Sequence, residues 1–279
     1  MPEEIHQQAG DNAIQIGQAR DVHIYQSPPK KPRQPKEKQP PQEKKSILNP
    51  FGLRGRLEDP AHYLVRQPLS DEILNELRKG VSLSIVGESQ SGKSSLLWYL
   101  CQIGPVVLDR PPEDFVRLDM ELLQSEDALF QHLCEILSVP NCRGFALGRA
   151  LRGRKVVLCL DEIERMTWAG FTADVRSELR GLADGAQAPL TLVITSRTPL
   201  DSLFPDSQLM TSPLAGLCTQ VSIPPFTLPE TRRLVEQYLA DSGLKFPKSA
   251  IERAWQQSAG HPARLQQELK VAFAHLFHA

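Results

Sequence analysis

The chain has 279 residues, 41% apolar and 23% charged, enough for a packed core and too apolar for wholesale disorder. Its 32 basic and 33 acidic residues leave a formal charge of −1, which excludes a global bias toward nucleic acid or an anionic membrane. No run approaches the roughly 18 apolar residues of a membrane-spanning helix, the N-terminus lacks a basic-then-apolar signal, and the five cysteines (Cys101, Cys134, Cys142, Cys159, Cys218) form no CxxC pair. A cytoplasmic protein with no membrane span, disulfide framework or zinc site is therefore expected, its thiols buried or inert.

The balanced charge hides unlike parts. Residues 1–26 contain four acids against Arg20, whereas residues 27–46 contain seven basic and two acidic residues together with six prolines. Proline removes backbone donors and pushes its neighbours toward extended conformations, so 27–46 reads as a semi-rigid linker. Its alternative role is polyanion binding without sequence specificity, the one basis for a nucleic-acid partner. Within the head, Ile14 and Ile16, then Val22 and Ile24, alternate with polar residues around a break, the pattern of two very short strands that need a partner for stability.

After the linker, strand and helix signals alternate. Leu69, Ile73, Leu74 and Leu77 have helical spacing, with Ser70 as N-cap and Gly80 past the end. A strand is predicted over 81–86, a helix over 93–102, a strand over 115–120, and a helix opened by Ser125 and carried by Leu129, Phe130, Leu133, Ile136 and Leu137. The apolar run at 156–160 (VVLCL) has the pattern of a buried parallel strand. A helix through Phe171, Val175, Leu179 and Leu182 and a strand over 190–195 follow. The last sixty residues are helical: a capping box at Thr227 and Glu230, a helix over 248–260, and a helix from Pro262 with Leu265, Leu269, Ala272, Phe273 and Leu276 on one face. The expected fold is α/β, a parallel sheet with helices on both faces, at 47–224, with a helical subdomain at 225–279.

Residues 87–94 read GESQSGKS and satisfy G-x-x-x-x-G-K-[ST] between a strand and a helix. Gly87, Glu88, Ser89, Gln90, Ser91 and Gly92 supply backbone N–H groups to wrap phosphates, Lys93 neutralises them, the Ser94 hydroxyl ligates Mg²⁺, and Ser95 continues the helix start. The strand VVLCL then ends in Asp161 and Glu162, where ligands collect in open α/β sheets. Asp161 is placed to hold Mg²⁺ through water and Glu162 to deprotonate an attacking water. The strand TLVIT is followed by Ser196 and Arg197, an arginine placed to reach a γ-phosphate.

These segments resemble the STAND branch of the AAA+-related P-loop ATPases over about residues 49–277. The resemblance is carried by GESQSGKSSLL, VVLCLDEIE, TLVITSR, SPLAGL at 212–217 and SAGHPARLQ at 258–266. It implies Walker A and Walker B roles for the first two, a sensor role for Arg197, and closure of a helical lid over ATP by His261 and Pro262. An upstream stretch that contacts the adenine side in the family reads YLVRQ here. It keeps Arg66 and lacks the family's glycine and glutamate. In the head, GDNAIQIG and DVHIYQ are similar to amyloid-signalling motifs of bacterial signalling ATPases.

The resemblance implies a Mg²⁺- and ATP-dependent switch that hydrolyses slowly and forms homo-oligomers on ATP binding, in bacterial signalling or defence. No TPR, WD40 or leucine-rich array follows, so an effector function is expected in the head or in a separate effector protein. Two alternatives stay open. One is an AAA+-type adaptor or loader acting on DNA, which would show salt-dependent DNA retention lost on deleting residues 27–46. The other is a non-hydrolysing scaffold that keeps nucleotide bound.

Overall fold

The computed structural model describes residues 48–205 and 214–277. The described residues belong to one compact unit, Ser46–Ala279. The head, the linker and the first two residues of SPLAGL lie outside the described residues.

Five parallel strands, β1 (Leu83–Val86), β2 (Phe115–Asp119), β3 (Val156–Asp161), β4 (Leu190–Ser196) and β5 (Thr219–Ser222), form one sheet in the order β2-β3-β4-β1-β5. Every residue of β3 and β4 is buried, because helices cover both faces and the strands have no polar side. Alternation sorts their side chains. Val156, Leu158, Leu160, Leu192 and Ile194 pack against α3 (Glu126–Ile136), α4 (Gly144–Ala150) and α5 (Ala173–Ala183). Val157, Cys159 and Val193 join Leu83 and Ile85 against α1 (Gln67–Arg78) and α2 (Lys93–Leu108). Cys101 on α2 meets Cys159 on β3 at 3.8 Å between sulfurs.

A short α6 (Leu200–Leu203) follows β4. Beyond β5, helices α7 (Leu228–Leu239), α8 (Lys248–Ser258) and α9 (Pro262–Phe277) enclose a core of their own around Leu234, Ile251, Leu265, Leu269 and Phe273. The predicted capping box is formed: the Thr227 hydroxyl accepts the Glu230 N–H at 3.3 Å, and the Glu230 carboxylate accepts the Thr227 N–H at 2.8 Å. Phe51 and Leu64, from ahead of the sheet, complete this core.

Several boundaries differ from the sequence reading. Helix α1 starts at Gln67 with Pro68 in its first turn, so Ser70 is a buried helix-interior residue and not the N-cap. Helix α2 runs past 102 and through Pro105 to Leu108, where Asp109 ends it in a left-handed conformation. Leu276 is 42% exposed, so α9 buries a narrower face than predicted. Of the five cysteines, Cys134 and Cys159 are buried and the other three are half-buried.

Candidate functional site

The strand order puts the chain ends of β1 and β4 side by side, with β3 next in line, so the loops leaving these three strands converge. Val86 pairs with Ser196, and the ladder continues one step as the Gly87 N–H donates to the Ser196 carbonyl at 3.1 Å. The chain then turns through Gln90 at φ 60° and Gly92 at φ 97° before entering α2. Gly92 occupies the helix N-cap with no side chain to cap it, so the first backbone N–H groups of α2 stay available to an anion. A φ of 97° excludes any L side chain without strain, the physical reason for the second glycine of the motif.

Lys93 is only 3% exposed, and its ammonium donates to the carbonyls of Gly87 and Glu88 at 3.0 Å each. Burial pushes its amine below the usual lysine range, against the pull of Glu162, Glu164 and Asp161. A buried ammonium that spends donors on loop carbonyls holds the loop in a cradle and keeps its charge facing that cradle.

Asp161, 1% exposed, ends β3 in register with Asp119 of β2. Thr195, fully buried on β4, donates its hydroxyl to Asp161 Oδ1 at 2.7 Å and accepts the Glu162 N–H at 3.0 Å. One hydroxyl therefore fixes both acidic residues. Glu162 takes φ 55°, ψ 60°, a left-handed conformation that costs a non-glycine residue about 1–2 kcal/mol. Burial raises its carboxyl above the usual range, while Lys93 and Arg197 pull it down. Arg197 Nη2 lies 3.4 Å from Glu162 Oε2 with its side chain 53% exposed, and its N–H donates to Glu164. It thus stands beside the proposed base.

A cavity of about 670 Å³, within the range of ligand sites, opens between these loops and α9. Residues 89–95, Glu162, Arg66 and Pro262 line it. Asp161, Gly87 and Glu88 are not among its lining residues, although Lys93, which is, holds the Gly87 and Glu88 carbonyls. His261 bonds the loop itself: Nε2 lies 3.1 Å from the Ser89 carbonyl, and Nδ1 is buried without a partner among the described residues. The turn ahead of it requires Gly260, because φ is 72° and a Cβ there would meet the Phe226 carbonyl oxygen. Arg66 donates to the carbonyls of Pro224 at 2.6 Å and Pro225 at 3.2 Å, pairs with Glu230 and lies over the Phe226 ring. Its guanidinium thereby fastens the chain between β5 and α7 to the wall of the cavity.

Two features escaped the sequence reading. Thr195 was legible only as the last residue of an apolar strand. Residues 52–57 line the cavity although they belong to no regular element, so no periodicity marks them. Among the described residues, no group of three or more His, Cys, Asp or Glu side chains could hold a metal. The oxygen donors of Ser94 and Asp161 suit a hard cation such as Mg²⁺, whose other ligands would be phosphate oxygens and water.

Residues 50–274 match the family model described as novel STAND NTPase 1. No curated protein matches the chain. Among solved structures, the Walker-type ATPase PABY2304 of Pyrococcus abyssi aligns with TM-score 0.55 and 19% identity over 78% of this chain and 69% of its own. The RuvB Holliday junction branch migration motor of Thermotoga maritima aligns with TM-score 0.52 and 16% identity over 80% and 67%. The Drosophila ORC bound to DNA aligns with TM-score 0.58 and 13% identity over 88% and 70%. At these identities the likeness is one of fold, that of the P-loop ATPases.

Proposed function

The chain belongs to the novel STAND NTPase 1 family, and from that premise we propose that it is an ATP-binding, slowly hydrolysing molecular switch that oligomerises on nucleotide binding. The observation that carries this reading is a buried Lys93 and a half-buried Glu162 facing one cavity whose opposite wall is α9. Backbone N–H groups at the start of α2 and the Lys93 ammonium would bind the phosphates. Ser94 and, through water, Asp161 would hold Mg²⁺, which supplies charge neutralisation at the phosphates when bound. Glu162 takes the proton of the attacking water as that water's oxygen bonds to the terminal phosphorus and the bond to the bridging oxygen breaks, releasing ADP and phosphate.

His261 and Pro262 join α8 and α9 to the phosphate loop, so a change in the loop's contents is felt by the helical subdomain. On this reading the protein acts in cytoplasmic signalling or defence, with clustering of the N-terminal segment as the output through raised local concentration. Lys93→Ala is expected to lose ATP binding, and Glu162→Gln to bind ATP while losing turnover. Sizing of the full chain should show larger assemblies with Mg·ATP, retained in Glu162→Gln and absent in Lys93→Ala. Identical elution of wild type with and without nucleotide would refute the switch.

A further inference from the structure

The segment that precedes α1 is a strap across the cavity, pinned on both sides. On the α9 side, Asn49 Nδ2 donates to the Lys270 carbonyl at 2.9 Å, Phe51 is buried in the helical core, and the Gly52 N–H donates to Gln266 Oε1 at 3.0 Å. On the sheet side, the Leu57 N–H donates to Ser95 Oγ at 2.9 Å, and Arg56 reaches Asp119 at the end of β2. Ser95 directly follows the phosphate loop, so the strap ends where the loop enters α2.

Five cationic side chains line the cavity, Arg54, Arg56, Arg66, Lys93 and Arg264, against one acidic residue, Glu162. That surplus suits a polyanion. Three of the five are committed to protein partners: Arg56 to Glu58 and Asp119, Arg66 to the prolyl carbonyls and Glu230, Lys93 to the loop carbonyls. The side chains of Arg54 and Arg264 make no hydrogen bond or ion pair among the described residues. Arg264 sits on α9, whereas Arg54 sits on the strap three residues from Leu57, at most about 11 Å along the chain from the pin on Ser95. The exposed Arg54 side chain lines the same cavity as residues 89–95 of the phosphate loop.

We propose that Arg54 is a nucleotide-binding residue that contacts the phosphate chain from the strap side, and that this contact draws residues 52–57 onto the bound nucleotide. The inference rests on the nucleotide-binding reading above. A charged hydrogen bond of this kind is worth a tenfold or larger change in affinity. The test is calorimetric titration of the full chain with Mg·ATP, ADP and AMP, for wild type, Arg54→Ala and Arg54→Lys, together with hydrogen exchange of residues 52–57. Expected are about tenfold or greater loss of ATP affinity in Arg54→Ala, little change for AMP, and substantial recovery in Arg54→Lys. Slower exchange of the strap on ATP binding is expected in wild type and not in Arg54→Ala. Wild-type affinity in Arg54→Ala, or equal losses for ATP and AMP, would overturn the phosphate contact while leaving nucleotide binding intact. Failure of wild type to bind ATP would overturn both readings.

Discussion

Thr195→Val tests how the acidic pair is held. The substitution conserves shape and removes one hydroxyl from a fully buried site. The Asp161 carboxylate loses a 2.7 Å donor, and the Glu162 N–H loses its acceptor. Losing a charge-assisted bond costs about 1.5–3 kcal/mol, and an orphaned buried N–H about 1–3 kcal/mol, partly offset by the greater apolarity of valine. A net loss of about 2–4 kcal/mol in stability is expected, a fall of roughly 5–12 °C in Tm for a unit of this size. Turnover should fall by more than the stability loss implies, because the left-handed backbone at Glu162 is left without the bond that holds it. We expect about 10–100-fold lower kcat, with the affinity for ATP changed less than threefold, since no phosphate-loop contact is touched. Phosphate release under saturating Mg·ATP, at a temperature where the variant is folded, measures this. Thr195→Ser keeps the hydroxyl and should retain most of the rate. Turnover of Thr195→Val within twofold of wild type would refute the assignment of Thr195 as the positioning residue for Glu162.

Two further outcomes concern the joint between sheet and helices. Burial pushes the Glu230 carboxyl up, but the N–H and hydroxyl of Thr227 and the Arg66 guanidinium outweigh it and hold the group below the usual range. A depressed carboxyl stabilises the fold above its unfolded pKa of about 4.5, and that contribution is lost as pH falls from there through the lower folded value. Arg66→Ala should therefore flatten the acid limb of stability between pH 5 and 3, and lower Tm at pH 7 by about 5–10 °C from the loss of three bonds at a buried guanidinium. An unchanged acid limb in urea titrations would contradict the role given to this pair. Gly260→Ala forces a Cβ against the Phe226 carbonyl at a φ of 72°, so a loss of about 2–5 kcal/mol is expected, with weaker ATP binding as His261 leaves the loop. Wild-type Tm and affinity in this variant would show that the turn is not fixed as described.

What could be read from the sequence depended on how far apart the interacting residues lie along it. The phosphate loop is legible because its demands fall within eight consecutive residues: a glycine at 92, where φ is 97°, lysine and serine at the helix start, and an apolar strand before them. The apolar runs of β3 and β4 announce themselves because a strand buried on both faces has no polar side to obscure it. Strand β5 carries no such signal, since only Val221 of its four residues is buried. Helix α1 begins ahead of Ser70, which has the chemistry of an N-cap, because Pro68 takes the first turn and tertiary packing covers the serine.

The strap and the Thr195 bond involve partners 214, 38 and 34 positions apart, and nothing local in the sequence marks these residues as partners. These long-range bonds tie the candidate site to the helical subdomain and to the sheet. The phosphate loop alone would bind a nucleotide independently of the rest of the chain. With the strap pinned to both Gln266 and Ser95, any movement of α9 relative to α2 must be accommodated by residues 52–57, whose side chains line the cavity. If the site binds nucleotide as proposed, ligand affinity and the position of the helical subdomain would be linked, and a partner of the helices would change ligand affinity by the factor by which the ligand changes that partner's affinity.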